Sequence, residues 1–222
     1  MRILHAPERL KHYINQYNLQ DMFSLDLEKV SSLICYEKNE LITEMGQRDD
    51  NFLILVEGEC IAYTLTGTDK FHCECHFRDV SFLGFVCVLW DEPILNNIQA
   101  ITPCTFLSIP ANLYREELLN DIKFLRFASR WMASHIRKNS SHYEPLETRL
   151  ASFILEMEQD GLFHYNLTLC ADLLETSYRH LLRTLHAMCE MRILEKKQKG
   201  QYQILDRDRL NQMQFGDAVA GC

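Results

Sequence analysis

Arg179 and Arg183 stand four residues apart, close behind Ser177, with Tyr178 and His180 beside them. A spacing of four places both guanidinium groups on one face of a helix. Each guanidinium is a planar fork of donors that fits O6 and N7 of guanine, or a phosphate, in two bonds. Ser177 suits the position before such a helix, because its hydroxyl can accept a backbone N–H left open in the first turn. Leu181, Leu182, Leu185 and Met188 recur at helical spacing and are the expected buried stripe. A shorter helix, Thr168–Leu174, precedes it, with Ala171 small where two helices must cross and Glu175-Thr176 as a tight connection. Downstream, Glu195-Lys196-Lys197-Gln198-Lys199-Gly200-Gln201-Tyr202 reads as a basic hairpin between two strands, and its lysines suit phosphates. The combination is a winged helix-turn-helix, with Thr168, Ser177, Tyr178, Arg179, His180, Arg183, Lys196, Lys197 and Lys199 as the candidate contacts to double-stranded DNA. The competing reading is a plain helical hairpin whose arginines pair with Asp172, Glu175 or Glu190.

His72-Cys73-Glu74-Cys75-His76 is the second group with chemical potential. Side chains alternate along a strand, so Cys73 and Cys75 share one face while His72, Glu74 and His76 share the other. The five therefore cannot bind one metal. Cys73 and Cys75 are candidates for a thiol pair, or for half a metal site with Cys60 or Cys87, against a structural role as small buried residues. The histidine face supports an alternative function: a cupin-like ligand-binding or metal-dependent β-barrel whose C-terminal helices serve assembly. Downstream of His76 no histidine precedes His135 to complete such a site. The nine cysteines are scattered, contain no Cys-x-x-Cys and are odd in number, which argues against a complete disulfide framework. No Gly-rich phosphate loop, nucleophile elbow or triad is present, so no enzyme, metal or cofactor is expected.

Positioning these residues takes two kinds of element. Pro7–Tyr17 and Asp26–Leu33 read as short helices. Leu41–Thr43, Phe52–Val56, Glu59–Leu65, Phe71–Phe77, Phe82–Leu89, Asn97–Ala100 and Thr105–Ile109 are short β-type runs separated by Gly-, Asp- and Pro-containing turns. Such spacing indicates an antiparallel sandwich or barrel. From Leu113 to His142 there is neither Gly nor Pro, and the pattern becomes helical. Leu118, Ile122, Leu125, Ser129, Met132, Ile136 and Asn139 form a heptad seam, flanked by a second stripe of Phe124, Phe127 and Trp131. Two stripes need two partners: the helix's own β domain, and the same helix of a second subunit. Helical runs Leu146–Gln159, Thr168–Leu174 and Ser177–Met191 follow. The expected fold class is thus α+β: a β-roll (jelly-roll) sensor over 1–112, a dimerisation helix over 113–142 and a winged helix-turn-helix over 143–222.

The net charge of −8 runs against a polyanion partner until it is read locally, since residues 168–200 carry six Lys/Arg against four Asp/Glu. Local patches decide phosphate binding. The longest apolar run, Phe82–Trp90, is far short of a membrane span, and the N-terminus has no apolar stretch of signal-peptide length. A cytoplasmic protein with no membrane partner is expected.

From Tyr36 to Leu210 the chain resembles the Crp/Fnr family, named for the cyclic-AMP receptor protein. Three stretches carry the likeness: Met45-Gly46-Gln47 followed by Asn51–Glu59, then Leu146–Leu155, then the helix-turn-helix. Ser177-Tyr178-Arg179-His180-Leu181-Leu182 is similar to the YeiL-type regulators within that family. The resemblance implies a homodimeric transcription regulator on a palindromic operator, touching RNA polymerase if it activates. It also implies an effector pocket, and there the chain departs from the pattern. Leu83-Gly84 matches the family's Leu-Gly, which puts Ser81-Phe82 in place of the Gly-Glu that holds ribose. Leu95-Asn96-Asn97 occupies the slot of the phosphate-binding Arg, and no Arg lies between Arg78 and Arg115. Ser81, Phe82, Asn96 and Asn97 are the candidate pocket residues, with cyclic AMP not expected to bind. Residues 1–34 hold no cysteine, so the family's N-terminal iron–sulfur cluster is not expected either. The effector is another molecule, or there is none.

Overall fold

A computed structural model describes residues 1–48, 50–65, 71–78, 80–139 and 144–214, with backbone alone at 71, 72 and 135–139. Asp49 and residues 66–70, which fall in turns expected between the β-type runs, the side chains of His72, His135, Ile136 and Asn139, and His142 lie outside this description. The chain divides into two compact units, Met1–His135 and Ile136–Cys222.

The first unit is two antiparallel sheets. Strands β1 (Arg2–Leu4), β2 (Ser32–Tyr36), β4 (Asn51–Glu57), β7 (Ser81–Leu83) and β9 (Cys104–Pro110) make one, in the order β1-β2-β9-β4-β7. Strands β3 (Leu41–Thr43), β5 (Cys60–Leu65), β6 (Phe71–Phe77) and β8 (Asn97–Ala100) make the other, in the order β3-β8-β5-β6. Between the sheets lies a core of Leu53, Leu55, Cys60, Leu83, Cys104 and Phe106 among others. Helices α1 (Pro7–Gln16), α2 (Leu27–Val30) and α3 (Phe85–Trp90) accompany the sheets.

Two expectations change here. The helix expected over Asp26–Leu33 ends at Val30, and Ser32–Tyr36 is a strand paired with both β1 and β9. Leu33, Ile34 and Tyr36 are all buried there, so pairing on both edges and burial override local helix preference. The strand expected over Phe82–Leu89 stops at Leu83. Gly84 has φ +92, and a Cβ at that position would lie 2.6 Å from the Asn51 carbonyl oxygen. Only glycine lets the chain pass so close and turn into α3.

The unbroken helix expected over Leu113–His142 is two helices, α4 (Ala111–Leu119) and α5 (Ile122–Asn139). Asp121 makes the break. Its carboxylate accepts the Lys123 N–H at 2.9 Å, and also the backbone N–H and the hydroxyl of Ser24, 97 residues away in sequence. Leu118 falls on the near side of the break and is fully buried, so it is not a seam residue. Beyond the break, the expected second stripe does meet the β unit. Phe124 stacks on Phe23 and Phe85, and Phe127 stands edge-on to Phe82 with centroids 4.4 Å apart. Trp131 lies 4.9 Å from Phe85.

Burial pushes the Asp121 carboxyl up, but hydrogen bonds from Ser24, Lys123 and Phe124 together hold it below the ordinary aspartate value. A depressed folded-state pKa gives stability that is present above the unfolded value and is lost as pH falls through the folded one. Asp121→Ala is expected to cost about 1–2 kcal/mol at neutral pH. In acid titrations the stability gap between the two proteins should narrow as pH falls below the ordinary aspartate value and the wild-type carboxylate protonates. Parallel curves throughout the acid range would contradict a stabilising Asp121 carboxylate.

The second unit holds α6 (Leu146–Met157), β10 (Leu162–His164), α7 (Leu167–Leu173), α8 (Tyr178–Glu190), β11 (Leu194–Gln198), β12 (Gln201–Ile204) and α9 (Arg207–Met213). Its sheet runs β10-β12-β11, all antiparallel. Leu150, Ile154, Phe163, Cys170, Leu181, Leu185, Met188, Ile193 and Leu210 are at the centre of its core.

Candidate DNA-recognition site

The helix pair is held at each end by side chains and turns rather than by propensity. Asn166 caps α7, accepting the N–H of Thr168 at 2.9 Å and of Leu169 at 3.3 Å. After α7 the chain turns through Glu175, at φ 45°. There the Glu175 N–H reaches the Asp172 carbonyl and the Thr176 N–H the Ala171 carbonyl, each at 2.9 Å. These are the two bonds of a Schellman closure, made here with Glu where Gly is usual. The Arg149 guanidinium donates to the Leu174 carbonyl, fixing the same turn to α6. Ser177 then caps α8, its hydroxyl oxygen accepting the His180 N–H at 3.1 Å. Cap and turn follow the sequence expectation.

α8 buries Leu181, Thr184, Leu185 and Met188. Leu182 is not part of that stripe: it is 36% exposed, and Thr184, bonded back to the His180 carbonyl at 3.2 Å, takes the inward place. Tyr178, Arg179, His180 and Arg183 are all exposed, as is Thr168 at the start of α7. Among the described residues neither Arg179 nor Arg183 makes an ion pair or a side-chain hydrogen bond, whereas His186 pairs with Glu190 at 3.4 Å. The competing reading, in which the arginines are spent on Asp172, Glu175 or Glu190, has no support in this geometry.

The hairpin is present, with one shift. Lys196 and Lys197 lie within β11, and only Lys199 lies in the turn. Gly200 closes that turn at φ +73, where a Cβ would sit 2.6 Å from the Tyr165 carbonyl oxygen. The ladder slips between Lys196 and Gln198. All three lysines are exposed, but the Lys197 ammonium is 2.6 Å from Glu195, while Lys196 and Lys199 have no carboxylate partner among the described residues.

Helix-turn-helix, capped exposed helix and basic hairpin thus occur in sequence behind a two-sheet roll. A model of the cyclic nucleotide-binding domain matches residues 33–121, and a model of the Crp-like helix-turn-helix domain matches residues 148–213. The chain belongs to the Crp/Fnr family. The regulatory protein YeiL of Escherichia coli O157:H7 is 29% identical over 197 residues, covering 86% of this chain and 90% of that one. FixK2 of Bradyrhizobium japonicum superposes with a TM-score of 0.69 at 18% identity, covering 83% of this chain and 97% of that one. A Crp/Fnr-family protein from Eubacterium rectale gives 0.69 at 18% identity, covering 92% and 100%. At those identities the two structures speak for the fold. As a Crp/Fnr member the chain is a transcription regulator with a helix-turn-helix.

The Crp/Fnr roll places the remaining candidates in different surroundings. Phe82 is buried in the aromatic cluster with Phe52 and Phe127, and Ser81 donates to the Arg78 carbonyl at 3.0 Å. Asn96 donates to Glu74, and Asn97 accepts the Met45 N–H at 3.0 Å, so both hold turns together. In β6 the ladder slips opposite Ala62 and Tyr63, leaving Glu74 with no residue opposite it in β5. That irregularity breaks the expected alternation. Glu74 is exposed, while the His76 side chain is 4% exposed and bound to Glu59 at 3.0 Å. Burial pushes the His76 imidazole pKa down against the pull of Glu59. The expected common face of His72, Glu74 and His76 is therefore not formed by its two described side chains. Cys73 is buried and donates weakly to the Cys75 carbonyl. Cys75 packs in the inter-sheet core with Cys60, whose thiol is pushed up by burial, away from the reactive thiolate. Among the described residues no cluster of three His, Cys, Asp or Glu is placed to hold a metal. No described helix is long and apolar enough to cross a membrane.

Proposed function

We propose that this Crp/Fnr regulator binds double-stranded DNA in the cytoplasm as a homodimer on a palindromic operator, with α8 in the major groove and the β11–β12 hairpin on the backbone. The observation that carries the reading is the pair Arg179 and Arg183, exposed and unspent on the outer face of a helix fixed by the Ser177 cap. Thr168, Tyr178 and His180 border that face and supply further contacts. The α5 seam of Ile122, Leu125, Ser129 and Met132 joins the two subunits. The regulator is not an enzyme; RNA polymerase is its further partner if it activates.

Salt dependence tests the backbone half of the reading. Each lysine that neutralises a phosphate contributes about 0.9 to the slope of log affinity against log salt. Lys196→Ala and Lys199→Ala are expected to flatten the slope by about that amount and to weaken all duplexes alike. Lys197→Ala should do less, because Glu195 already neutralises that ammonium. Unchanged slopes in the first two variants would take the hairpin off the DNA.

The effector is not a cyclic nucleotide, or no small effector is used. A cyclic phosphate in a low-dielectric pocket needs a paired cation, and the candidate slot offers Asn96 and Asn97, whose side chains already serve Glu74 and Met45. Phe82 is packed among rings where the ribose would sit. Calorimetry with cyclic AMP and cyclic GMP should show no binding at micromolar concentrations; micromolar affinity for either would overturn this part.

A further inference from the structure

His180 is anchored twice, and the second anchor comes from a residue outside the candidate contacts. Its backbone N–H is taken by Ser177 Oγ at 3.1 Å, and its ring Nδ1 lies 3.4 Å from Thr176 Oγ1. Thr176 is itself fixed, because its N–H is bonded to the Ala171 carbonyl at 2.9 Å in the turn that closes α7. The ring of an exposed histidine in the first turn of α8 is thereby tied, through one hydroxyl, to the rigid corner of the helix-turn-helix. Of the two histidines on α8, His186 is committed to Glu190.

We propose that Thr176 is a positioning residue that holds the His180 ring so that Nε2 always presents a proton outward, making His180 a constitutive donor to an acceptor on DNA. The inference rests on α8 being the recognition helix, and it deepens that reading by assigning the chemistry of one contact. A histidine ring offers its partners a donor or an acceptor according to its tautomer, and the bond made by one nitrogen decides what the other carries. Thr176 Oγ1 has no other hydrogen-bond acceptor among the described residues, and the assignment is that its hydroxyl donates to Nδ1, which leaves the proton of the neutral ring on Nε2. When the ring is charged, Nδ1–H donates to Oγ1 instead, and Nε2 still bears a proton. In both states the outward group is a donor. Its partner is then a phosphate oxygen, a purine N7, the O6 of guanine or the O4 of thymine, and never the amino group of adenine or cytosine. The side-chain methyl of threonine adds stiffness at χ1, which a serine would partly lack.

Ring nitrogen spectra of the full-length protein, with nitrogen-15 in its histidines, test the positioning without DNA. His180, assigned by its absence in His180→Ala, is expected in the Nε2–H tautomer at neutral pH in the wild type and in Thr176→Ser. In Thr176→Val it should become a mixture of both tautomers. Affinity for the duplex that the wild type prefers among random sequences then tests the consequence: Thr176→Val should weaken it about three- to tenfold and Thr176→Ser less than about twofold. In a His180→Ala background Thr176→Val should change nothing further. An Nδ1–H tautomer in the wild type, or a Thr176→Val loss that persists undiminished without His180, would overturn the proposal. A wild-type protein with no sequence preference at all would sink the recognition-helix reading, and this assignment with it, even where the tautomer is as expected.

Discussion

Arg183→Ala, and separately Arg179→Ala, is expected to lower affinity for the operator by about 1–3 kcal/mol and to relax base preference at defined positions. Neither side chain carries any part of the fold: both are exposed, and neither is bonded within the described residues. Thermal stability should therefore stay within about 0.5 kcal/mol of the wild type. That separation distinguishes lost readout from damage to the helix pair, which Ser177→Ala would cause by freeing the His180 N–H. The lysine variants of the hairpin give the opposite signature, a uniform loss that shrinks at high salt. If Arg179→Ala and Arg183→Ala both left affinity and preferred sequence unchanged, α8 would not be the reading helix.

The second large effect is expected at α5. Ile122 is 57% exposed and Ser129 is exposed on the same stripe. Glutamate at both positions should abolish dimerisation without touching the protein's own core. Leu125 and Met132 are poorer places for this test, since both pack partly against the aromatic core and charges there would also unfold the unit. A monomer holds one half-site at a time, so operator affinity should fall about 100-fold or more as the second half-site ceases to be an intramolecular contact. Sedimentation should give a dimer for the wild type at micromolar concentration and a monomer for the Ile122→Glu/Ser129→Glu protein. A stable wild-type monomer at that concentration would end the seam assignment. The break at Asp121 shortens the rod: α5 has 18 residues, about 27 Å at 1.5 Å each.

The helix-turn-helix was the most legible part of the sequence because its boundaries are chemical. Asn166, Ser177 and the Glu175-Thr176 turn mark helix ends by side-chain and backbone bonds that need no distant partner. The short β runs were legible for a similar reason, as turn residues separate them. What the sequence hid depends on partners far along the chain. Ser32–Tyr36 is a strand because β1 and β9 lie on either side of it. The helix break depends on Ser24 meeting Asp121, which no local pattern around Asn120 announces. Gly84 within the run Phe82–Leu89 was a visible signal that the strand should end there. Leu182 shows the limit of periodicity, since a leucine at the rim of a stripe and one at its centre look alike in sequence. β1, β10 and α9, of three, three and seven residues, were missed. Asp206, whose side chain caps α9 by accepting the Arg209 N–H, was the available clue.

Selection of bound duplexes from a random library examines DNA recognition and symmetry together. A dimer reading with two copies of α8 should enrich a two-fold palindrome whose half-site centres lie about 34 Å, or about 10 base pairs, apart. Guanine should stand at fixed positions that lose their preference in Arg179→Ala or Arg183→Ala. Enrichment of an asymmetric site, or of no site above background at moderate salt, would contradict a symmetric recognition-helix regulator.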